Sequence, residues 1–350
     1  MKQLLLIFLV MAGLSACNQK ATKNEEQSNV KYYRQLLFSE TPWDLERGSH
    51  EITANEAESL NNYKFTWNDD GKLASVEFNR NGVLLGYSNL RAAKVTYTYE
   101  GNKQIKRFFD EEGKQIGSNG AFTFEYTLDG AGMRTAMRFL DEAGNPVENG
   151  NKISNYVWSK MDDGMIRELR YNLAGEETIM NPFCPFYELR FSYDPNGYVT
   201  RMANYDDDTL YDCTAENCGE IGVSYFQFKN NPHGDLLSFA VHSSSGQLSN
   251  LYWGWAKRLN TFDENGNTVE TKIYDQDDEL LSGKAGVPVT KNEYDEHGAL
   301  VKSMSMDADG NLMNNASNGV AVVEYKYDDK GKRTESLRFD KDMNPVENNG

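Results

Sequence analysis

Carboxylates crowd the turn sequences of this 350-residue chain, which contains 53 Asp and Glu residues. Residues 263–267 (Asp-Glu-Asn-Gly-Asn) and 307–311 (Asp-Ala-Asp-Gly-Asn) place oxygen-bearing side chains close together, and such groups are the ligands that Ca²⁺ prefers. A calcium loop of the helix–loop–helix type carries glycine at its sixth position and a bidentate glutamate at its twelfth. Both segments have glycine fourth, so we interpret these acids as turn-capping groups and predict no metal site.

The other chemically active residue types form no recognisable catalytic arrangement. The histidines are scattered and make no His-Glu-x-x-His zinc pair: His50, His233, His242 and His297. Neither a Gly-x-Ser-x-Gly nucleophile motif nor a phosphate-binding glycine loop is present. Paired carboxylates can hydrolyse glycans, but their separation in space is hidden in a sequence. We predict a non-catalytic protein without a cofactor, and a glycan-active hydrolase on a β scaffold is the alternative.

A dense aromatic cluster at Tyr252, Trp253 and Trp255 interrupts the alternating pattern of its surroundings. Exposed tryptophan and tyrosine rings stack on sugars or anchor a protein partner, so these residues are the candidate ligand-binding positions. The alternative, which we favour, is a local core plug where the strand of one unit enters the next.

Composition narrows the class of protein. The net charge of −17 leaves no basic face for phosphates, which excludes nucleic acid as a partner. Aromatic residues make up 12% of the chain, and 29 glycines stand against 8 prolines. Aromatic residues suit a pleated, half-buried surface and glycine suits tight turns, so this mixture favours strands joined by short turns.

Internal repetition is the strongest pattern in the chain. Turns of the type aromatic-Asp/Asn-x-x-Gly, or a looser form, recur with their glycines 30 to 33 residues apart, except for one step of 37. The glycines of these first turns define nine units in order: Gly71, Gly101, Gly132, Gly164, Gly197, Gly234, Gly266, Gly298 and Gly331. A second turn of the same type follows 11 or 12 residues after the first in most units. Such a period predicts stacked repeats.

The chemistry of the unit predicts an all-β fold. The Asp or Asn accepts hydrogen bonds from turn amides, and the glycine takes the left-handed conformation that closes a short hairpin. Between turns the residues alternate with period two, as in 122–126 (Phe-Thr-Phe-Glu-Tyr). One unit of about 32 residues cannot bury its own apolar face. We therefore predict an elongated antiparallel β-meander or β-solenoid of about nine repeats.

Two of the turns match a known repeat pattern. Residues 294–300 (Tyr-Asp-Glu-His-Gly-Ala-Leu) and 327–333 (Tyr-Asp-Asp-Lys-Gly-Lys-Arg) contain Tyr-Asp-x-x-Gly. By these motifs the chain resembles the YD (RHS-type) repeat family. The resemblance covers nearly all of the chain that follows its N-terminal segment, and it implies a β-repeat architecture. The unit here is longer than is usual in that family, and the chain is much smaller than its toxin-enclosing shells. The toxin function is not carried over, and an effector-type or immunity-type role stays as an alternative.

The N-terminal residues predict export and lipid attachment. Lys2 precedes an apolar run over 4–14, and such a run is too short to cross a hydrocarbon core of about 30 Å. Residues 14–17 (Leu-Ser-Ala-Cys) resemble the lipobox of bacterial lipoproteins, which implies cleavage before Cys17 and acylation of that cysteine. We expect a bilayer-anchored protein of the bacterial cell envelope. Asn18 favours the outer membrane, and whether the protein faces the periplasm or the surface stays open.

These patterns divide the chain into four parts. We predict a signal peptide over 1–16, a lipidated cysteine with a flexible tether over 17–30, an N-terminal cap over 31–62 and the β-repeat domain over 63–350. The expected role is binding or scaffolding, with an unidentified envelope protein or glycan as partner.

Three further cysteines fit one disulfide with one thiol left over, because an exported protein folds in an oxidising compartment. Cys184 and Cys218 lie 20 and 21 residues after the first-turn glycines of adjacent units. We predict a bridge between these two, with Cys213 free. The local pair of Cys213 with Cys218 is the alternative.

Overall fold

The computed structural model describes residues 29–86, 88–180, 186–211, 223–251, 253–281 and 286–347. These residues form 23 strands and one 3-10 turn, η1 (Glu56–Glu58). The strands are β1 (Val30–Leu36), β2 (Gly48–Ile52), β3 (Asn62–Trp67), β4 (Leu73–Arg80), β5 (Val83–Leu84), β6 (Lys94–Glu100), β7 (Lys103–Phe109), β8 (Gln115–Ile116), β9 (Thr123–Leu128), β10 (Arg134–Leu140), β11 (Asn155–Lys160), β12 (Ile166–Tyr171), β13 (Glu188–Tyr193), β14 (Val199–Asp206), β15 (Thr209–Leu210), β16 (Tyr225–Asn230), β17 (Leu236–His242), β18 (Lys257–Phe262), β19 (Thr268–Tyr274), β20 (Val289–Tyr294), β21 (Leu300–Met306), β22 (Val322–Tyr327) and β23 (Arg333–Phe339). Within the described ranges, no helix is both long and apolar enough to cross a bilayer.

The strands make one open antiparallel sheet, which confirms the predicted all-β meander. Each unit contributes a hairpin such as β3–β4, and its second strand pairs with the first strand of the next unit, as β4 does with β6. The short strands β5, β8 and β15 fold back on the strand before them. The sheet runs from β2 through β1 and β3 to β23 at its other edge.

The third unit shows how the first turn forms. The Asp129 carboxylate accepts hydrogen bonds from the amides of Ala131 and Met133, both at 2.9 Å, and the Asp129 carbonyl accepts one from Gly132 at 3.0 Å. Gly132 sits at φ +83°, and all nine first-turn glycines have φ between +61° and +90°. The predicted role of the acid and of the glycine is therefore confirmed. In seven of the nine first turns an Asp or Asn side chain accepts such bonds from turn amides, and the exceptions are the turns of the second and fourth units.

Two second turns keep this geometry without glycine. Asp278 and Met343 take φ values of +62° and +63° at the place that Gly144 and Gly310 hold in other units. In the first of these turns, the Asp275 carboxylate still accepts hydrogen bonds from two turn amides, each at 3.0 Å. A left-handed conformation costs a residue with a Cβ about 1–2 kcal/mol. The turn carboxylate and the flanking strands hold the conformation despite this cost.

One face of the sheet carries the core over the first six units. We call it the inner face. The position six residues before the first-turn glycine holds a buried ring in five of these units: Phe65, Tyr126, Trp158, Phe191 and Phe228. Rings of different strands stack on each other, for example Tyr126 of β9 on Trp158 of β11 with centroids 6.4 Å apart. These side chains form two buried clusters, one around the first two units and one from the third unit to the sixth.

The inner face changes character at the seventh unit. Asn260 and Asn292 stand six residues before Gly266 and Gly298, where the earlier units carry rings. The Asn260 amide donates to the carbonyl of Leu236 at 2.8 Å, so it satisfies the backbone of a neighbouring strand instead of filling a core. The described residues of β18 to β23 add no member to either apolar cluster. The concave side of the sheet is therefore apolar over the first six units and carries asparagine in place of a ring in the seventh and eighth.

Residues 30–52 form a hairpin whose loop enters the concavity of the sheet. β1 pairs with β3 and extends the sheet at the first unit. We call residues 37–47 the β1–β2 loop. Its two ends lie side by side, because the main-chain amide of Leu37 donates a hydrogen bond to the Arg47 carbonyl at 2.8 Å. The ring of Phe38 lies 5.2 Å from that of Phe228 in the sixth unit. The residues predicted to cap one edge thus also reach the middle of the array.

The two ends of the array approach each other without pairing strands. The ammonium of Lys332 in the ninth unit lies 3.7 Å from the Glu112 carboxylate in the second unit. At the eighth unit, the His297 carbonyl accepts a hydrogen bond from the main-chain N–H of Asn61 at 2.9 Å. The sheet therefore curves around the β1–β2 loop until its last turns pack beside its first ones.

The turn after β9 contains a matched pair of glycines that isolates the backbone effect. A Cβ added at Gly130 or at Gly132 would meet no atom within 4 Å, but only Gly132 has a positive φ. We expect Gly132→Ala to lower the free energy of unfolding by about 1–2 kcal/mol. Gly130→Ala should leave it unchanged or raise it slightly, because alanine restricts the unfolded chain. Urea denaturation of both variants measures this, and equal destabilisation would contradict the assigned turn.

Candidate ligand-binding site

A cleft of about 630 Å³ lies between the β1–β2 loop and the inner face of the sheet. Leu45 and Ser39 of the loop border the cleft and are exposed, so it opens to solvent. Aromatic rings supply most of the apolar wall, and they are Phe38, Phe108, Phe124, Tyr126, Phe139, Tyr156 and Phe262. Its size falls within the range of small-molecule sites, which is about 300–1,000 Å³.

Arg134 on β10 fixes the tip of the loop. Its guanidinium donates to the carbonyls of Pro42 at 3.0 Å and Asp44 at 2.6 Å, and it stacks on the Tyr126 ring 3.8 Å away. In return, the indole of Trp43 donates to the Arg134 carbonyl at 3.0 Å. A cation from the third unit thus satisfies loop carbonyls that would otherwise lose water on burial.

A second anchor comes from Glu168 on β12, in the fourth unit. Its carboxylate accepts hydrogen bonds from the Thr41 hydroxyl at 2.5 Å, the Trp158 indole at 2.8 Å and the Arg170 guanidinium at 2.9 Å. Arg170 is fully buried. The network places a charged pair in the core with its hydrogen-bonding capacity largely used, which is the condition under which buried charges are tolerated.

The second unit holds the far side of the loop through Glu46. Its carboxylate forms an ion pair with Lys106 and accepts a hydrogen bond from the Tyr97 hydroxyl. Burial opposes ionisation of this carboxyl group, but the nearby charges of Lys106 and Arg134 outweigh burial and lower the pKa of Glu46. Glu46 is therefore an ionised, fully engaged group at neutral pH.

The base of the loop is tied to the turns of the fifth and sixth units. His50 Nε2 lies 2.9 Å from the Asp235 carboxylate, and the His50 ring stacks on that of His233 with centroids 5.1 Å apart. Arg47 donates to the Asn196 carbonyl at 3.1 Å. The N-terminal hairpin is thereby held by residues of the second to sixth units.

Two charged groups on the cleft wall, unlike those described above, have no oppositely charged partner in contact. Glu40 of the loop and Arg258 of β18 face the same cleft, but no ion pair within 4.0 Å joins them among the described residues. Burial raises the pKa of Glu40 to about 7, an effect that Arg258 opposes and the Glu168 charge reinforces. Burial also lowers the pKa of Arg258, whose Nε atom is buried and has no hydrogen-bond partner in the described structure. Together they offer one acid and one cation to a bound molecule.

The repeat pattern held a signal for Arg258 that motif searching missed. It stands eight residues before Gly266, and the equivalent places of five earlier units carry Tyr63, Phe124, Tyr156, Leu189 and Phe226. A charge at an inner-face position where all the earlier repeats are apolar is a local inconsistency of the kind that marks functional sites. For Glu40 the sequence offered no comparable signal, because the loop belongs to no repeat.

The aromatic residues predicted as ligand-binding positions lie apart from the cleft. Trp253 and Trp255 are half-buried, and their rings stack with centroids 5.0 Å apart. Trp255 also meets Phe239 edge-on at 5.8 Å, and Trp253 packs against the larger core cluster. Both indole rings therefore contact other side chains of the sheet. Tyr252 lies outside the described residues.

The predicted cysteine chemistry cannot be placed on the fold. Cys17, the site of expected lipidation, and the cysteines of both disulfide pairings (Cys184 with Cys218, or Cys213 with Cys218) lie outside the described residues.

Within the described ranges, no group of three or more His, Cys, Asp and Glu side chains could hold a metal ion. The carboxylates of the two segments that suggested calcium are used by their own turns. Asp263 accepts hydrogen bonds from two turn amides at 2.9 Å, and Asp307 accepts two at 2.8 and 3.0 Å. These bonds lower the pKa of Asp307, chiefly through the Asn311 amide.

Comparisons with known proteins do not place the chain in a family. No protein-family model matches it, and no curated protein matches its sequence. Among solved structures, a porin-like protein from Bacteroides uniformis is 10% identical, with 88% of this chain and 93% of that chain covered and a TM-score of 0.27. The Photorhabdus luminescens Tc holotoxin pore is 12% identical at a TM-score of 0.27, and the match covers 86% of this chain but only 17% of the toxin chain. Likenesses this weak carry no argument about function.

Arg134 provides a test of whether the loop depends on the inner-face charges. We expect Arg134→Met to lower the free energy of unfolding by about 2–4 kcal/mol, because loop carbonyls lose a charged donor. Limited proteolysis should then cut within residues 39–46 faster than in the wild type. Arg138→Met on the same strand removes only an exposed pair with Glu125 and should cost less than about 1 kcal/mol. Equal effects of the two variants would contradict the anchoring role.

Proposed function

We propose that this protein is a non-catalytic, lipid-anchored binding protein of the bacterial cell envelope, which holds a small ligand in the cleft beneath the β1–β2 loop. The observation that carries the proposal is the pair of unmatched charged groups, Glu40 and Arg258, facing one cleft of about 630 Å³. Ligand sites combine an apolar wall with a few convergent polar groups, and this cleft has that composition.

Envelope anchoring is supported by the sequence. The Leu-Ser-Ala-Cys motif at 14–17 follows an apolar run of signal-peptide length, and a polar stretch separates Cys17 from the folded body. The stretch over 18–29 contains no large apolar residue, and this composition is typical of a flexible tether.

A binding role is favoured over glycan hydrolysis by the state of the other carboxylates on the cleft wall. A glycosidase needs two carboxyl groups about 5–10 Å apart and both available to the substrate. Glu40 has the pKa of a general acid, but its neighbours are occupied: Asp44 accepts a hydrogen bond from Ser39, Glu46 pairs with Lys106, and Asp235 lies against His50. Among the carboxyl groups that the described residues bring to the cleft wall, only that of Glu40 is therefore free to act.

The anchor is tested by Cys17→Ala. We expect the wild type to sediment with membranes and to incorporate labelled palmitate, and the variant to do neither, because the thioether-linked acyl chains require the cysteine sulfur. Cys213→Ala, which changes a cysteine outside the N-terminal motif, should leave labelling intact. Labelling of the Cys17→Ala chain would contradict the lipid anchor.

The cleft is tested by filling it. Thr268 lines the cleft, whereas Thr261 is exposed and not part of its wall. We expect native mass spectrometry of protein isolated from its own envelope to show a small bound molecule in the wild type and in Thr261→Trp, but not in Thr268→Trp. A wild type without any bound molecule that depends on the cleft would contradict the binding function.

A further inference from the structure

The polar groups of the β1–β2 loop meet the inner-face charges one after another. Glu46 forms an ion pair with Lys106 of the second unit. The carbonyls of 42–44 accept hydrogen bonds from Arg134 of the third unit, and the Thr41 hydroxyl donates one to Glu168 of the fourth. The next loop residue toward the N-terminus is Glu40, and the remaining inner-face charge on the cleft wall is Arg258 of the seventh unit. Each earlier pairing is a direct contact, and this one is not.

Glu40 and Arg258 are both half-buried, and a charged group that is withdrawn from water without a partner is costly in free energy. The Arg258 guanidinium lies over the Phe239 ring at 5.7 Å, and its Nε–H is buried without an acceptor. An unsatisfied buried donor loses the free energy of its hydrogen bonds to water, and the loss is larger when the group is charged. In the other eight units, none of the residues eight positions before the first-turn glycine is charged. The unpaired charge of Arg258 therefore destabilises the cleft in the absence of a ligand, and it favours binding of a ligand that accepts hydrogen bonds.

We propose that the cleft binds a small organic carboxylate, whose two oxygens accept hydrogen bonds from the Arg258 guanidinium and from the protonated carboxyl group of Glu40. This inference rests on the proposed binding function and names its ligand class. The charges balance, because the cation of Arg258 meets the ligand anion and Glu40 is neutral. Guanidinium and carboxylate match as a planar, two-point pair, which is why arginine serves this purpose better than lysine.

Protonation of Glu40 makes the binding depend on pH. Its pKa of about 7 means that the carboxyl group is mostly neutral at pH 6 and mostly ionised at pH 8. An ionised Glu40 would repel the ligand and could not donate, so affinity should fall by about tenfold from pH 6 to pH 8, with uptake of one proton on binding at the higher pH. The charged groups around Glu40 are Arg258 on β18, Glu168 on β12 with its partner Arg170, and Asp44 and Glu46 on its own loop.

The walls accept more than one kind of carboxylate. Phe38, Phe124 and Phe262 are half-buried rings of the cleft, and Thr268 and Asn260 add polar atoms. A sugar acid could stack its ring on these aromatics, and so could an aryl-substituted acid. The shared chemistry is the carboxylate, and the two sources are separated by the choice of probes.

The test is calorimetric titration of the full-length protein at pH 6 and pH 8 with two pairs of probes of matched size. Glucuronate is paired with glucose, and phenylacetate with 2-phenylethanol. We expect one acid to bind and its neutral partner not to bind, which also tells the sugar source from the aryl source. Titration in two buffers of different ionisation enthalpy measures the proton taken up.

Three variants assign the roles. Arg258→Gln should weaken binding of the acid about 10- to 100-fold, the range expected for hydrogen bonds to a charged group. Glu40→Gln should reduce the ratio of dissociation constants at pH 8 and pH 6 from about ten to about one, because glutamine donates at both pH values. Lys257→Gln removes the same charge one residue away on the opposite face of β18 and should change neither quantity.

The possible results distinguish a failure of the carboxylate inference from a failure of the proposed ligand-binding function. Equal binding of acid and neutral probes, no binding of either acid, or an Arg258→Gln variant that binds like the wild type would overturn the carboxylate inference. A small molecule without a carboxylate in the native mass spectrum would also overturn it, while leaving the binding function standing. Only the absence of any cleft-dependent molecule would remove both.

Discussion

A single β-sheet can bury one of its faces only against another layer, and the described part of the chain contains no α-helix to supply one. In this protein the sheet curves, and the loop of the N-terminal hairpin packs against its inner face. The sheet bends until the rings of the first six units face a common interior, and residues 37–47 fill part of the space that curvature leaves. The cleft is the part of that space that the loop does not fill. Fold and candidate site are therefore consequences of one packing requirement.

The charged residues of the interior follow from the same arrangement. A loop that enters a core brings its carbonyls and amides with it, and each must find a partner. Lys106, Arg134 and Glu168 stand on three successive units and provide those partners. In a repeat protein such charges would destabilise the core if the loop were absent, since they would be buried alone. The loop and the inner-face charges thus depend on each other, which sets the position of the loop in the curved sheet.

Repeat proteins tolerate variation where it does not break the stacking of neighbours, and this array varies at its seventh unit. There the inner face changes from rings to arginine and asparagine, yet the hairpin, its Asp263 turn and its glycine are retained. The turn chemistry is local to each unit and therefore independent of what the inner face carries. This separation allows one unit to present Arg258 to a cleft while its backbone continues the sheet.

The amino-acid sequence by itself determined the architecture: the unit length, the hairpin turns, the left-handed glycines and the antiparallel order of strands. These features arise from interactions between residues a few positions apart, so their spacing along the chain expresses them directly. The role of residues 31–62 was only partly visible. An apolar segment before the first unit predicts an edge strand, but its insertion between distant units depends on how far the sheet curves. Only the tertiary structure brought Glu40 and Arg258 to the same cleft, because the curvature of the sheet sums small twists over many strands, and no local pattern records that sum.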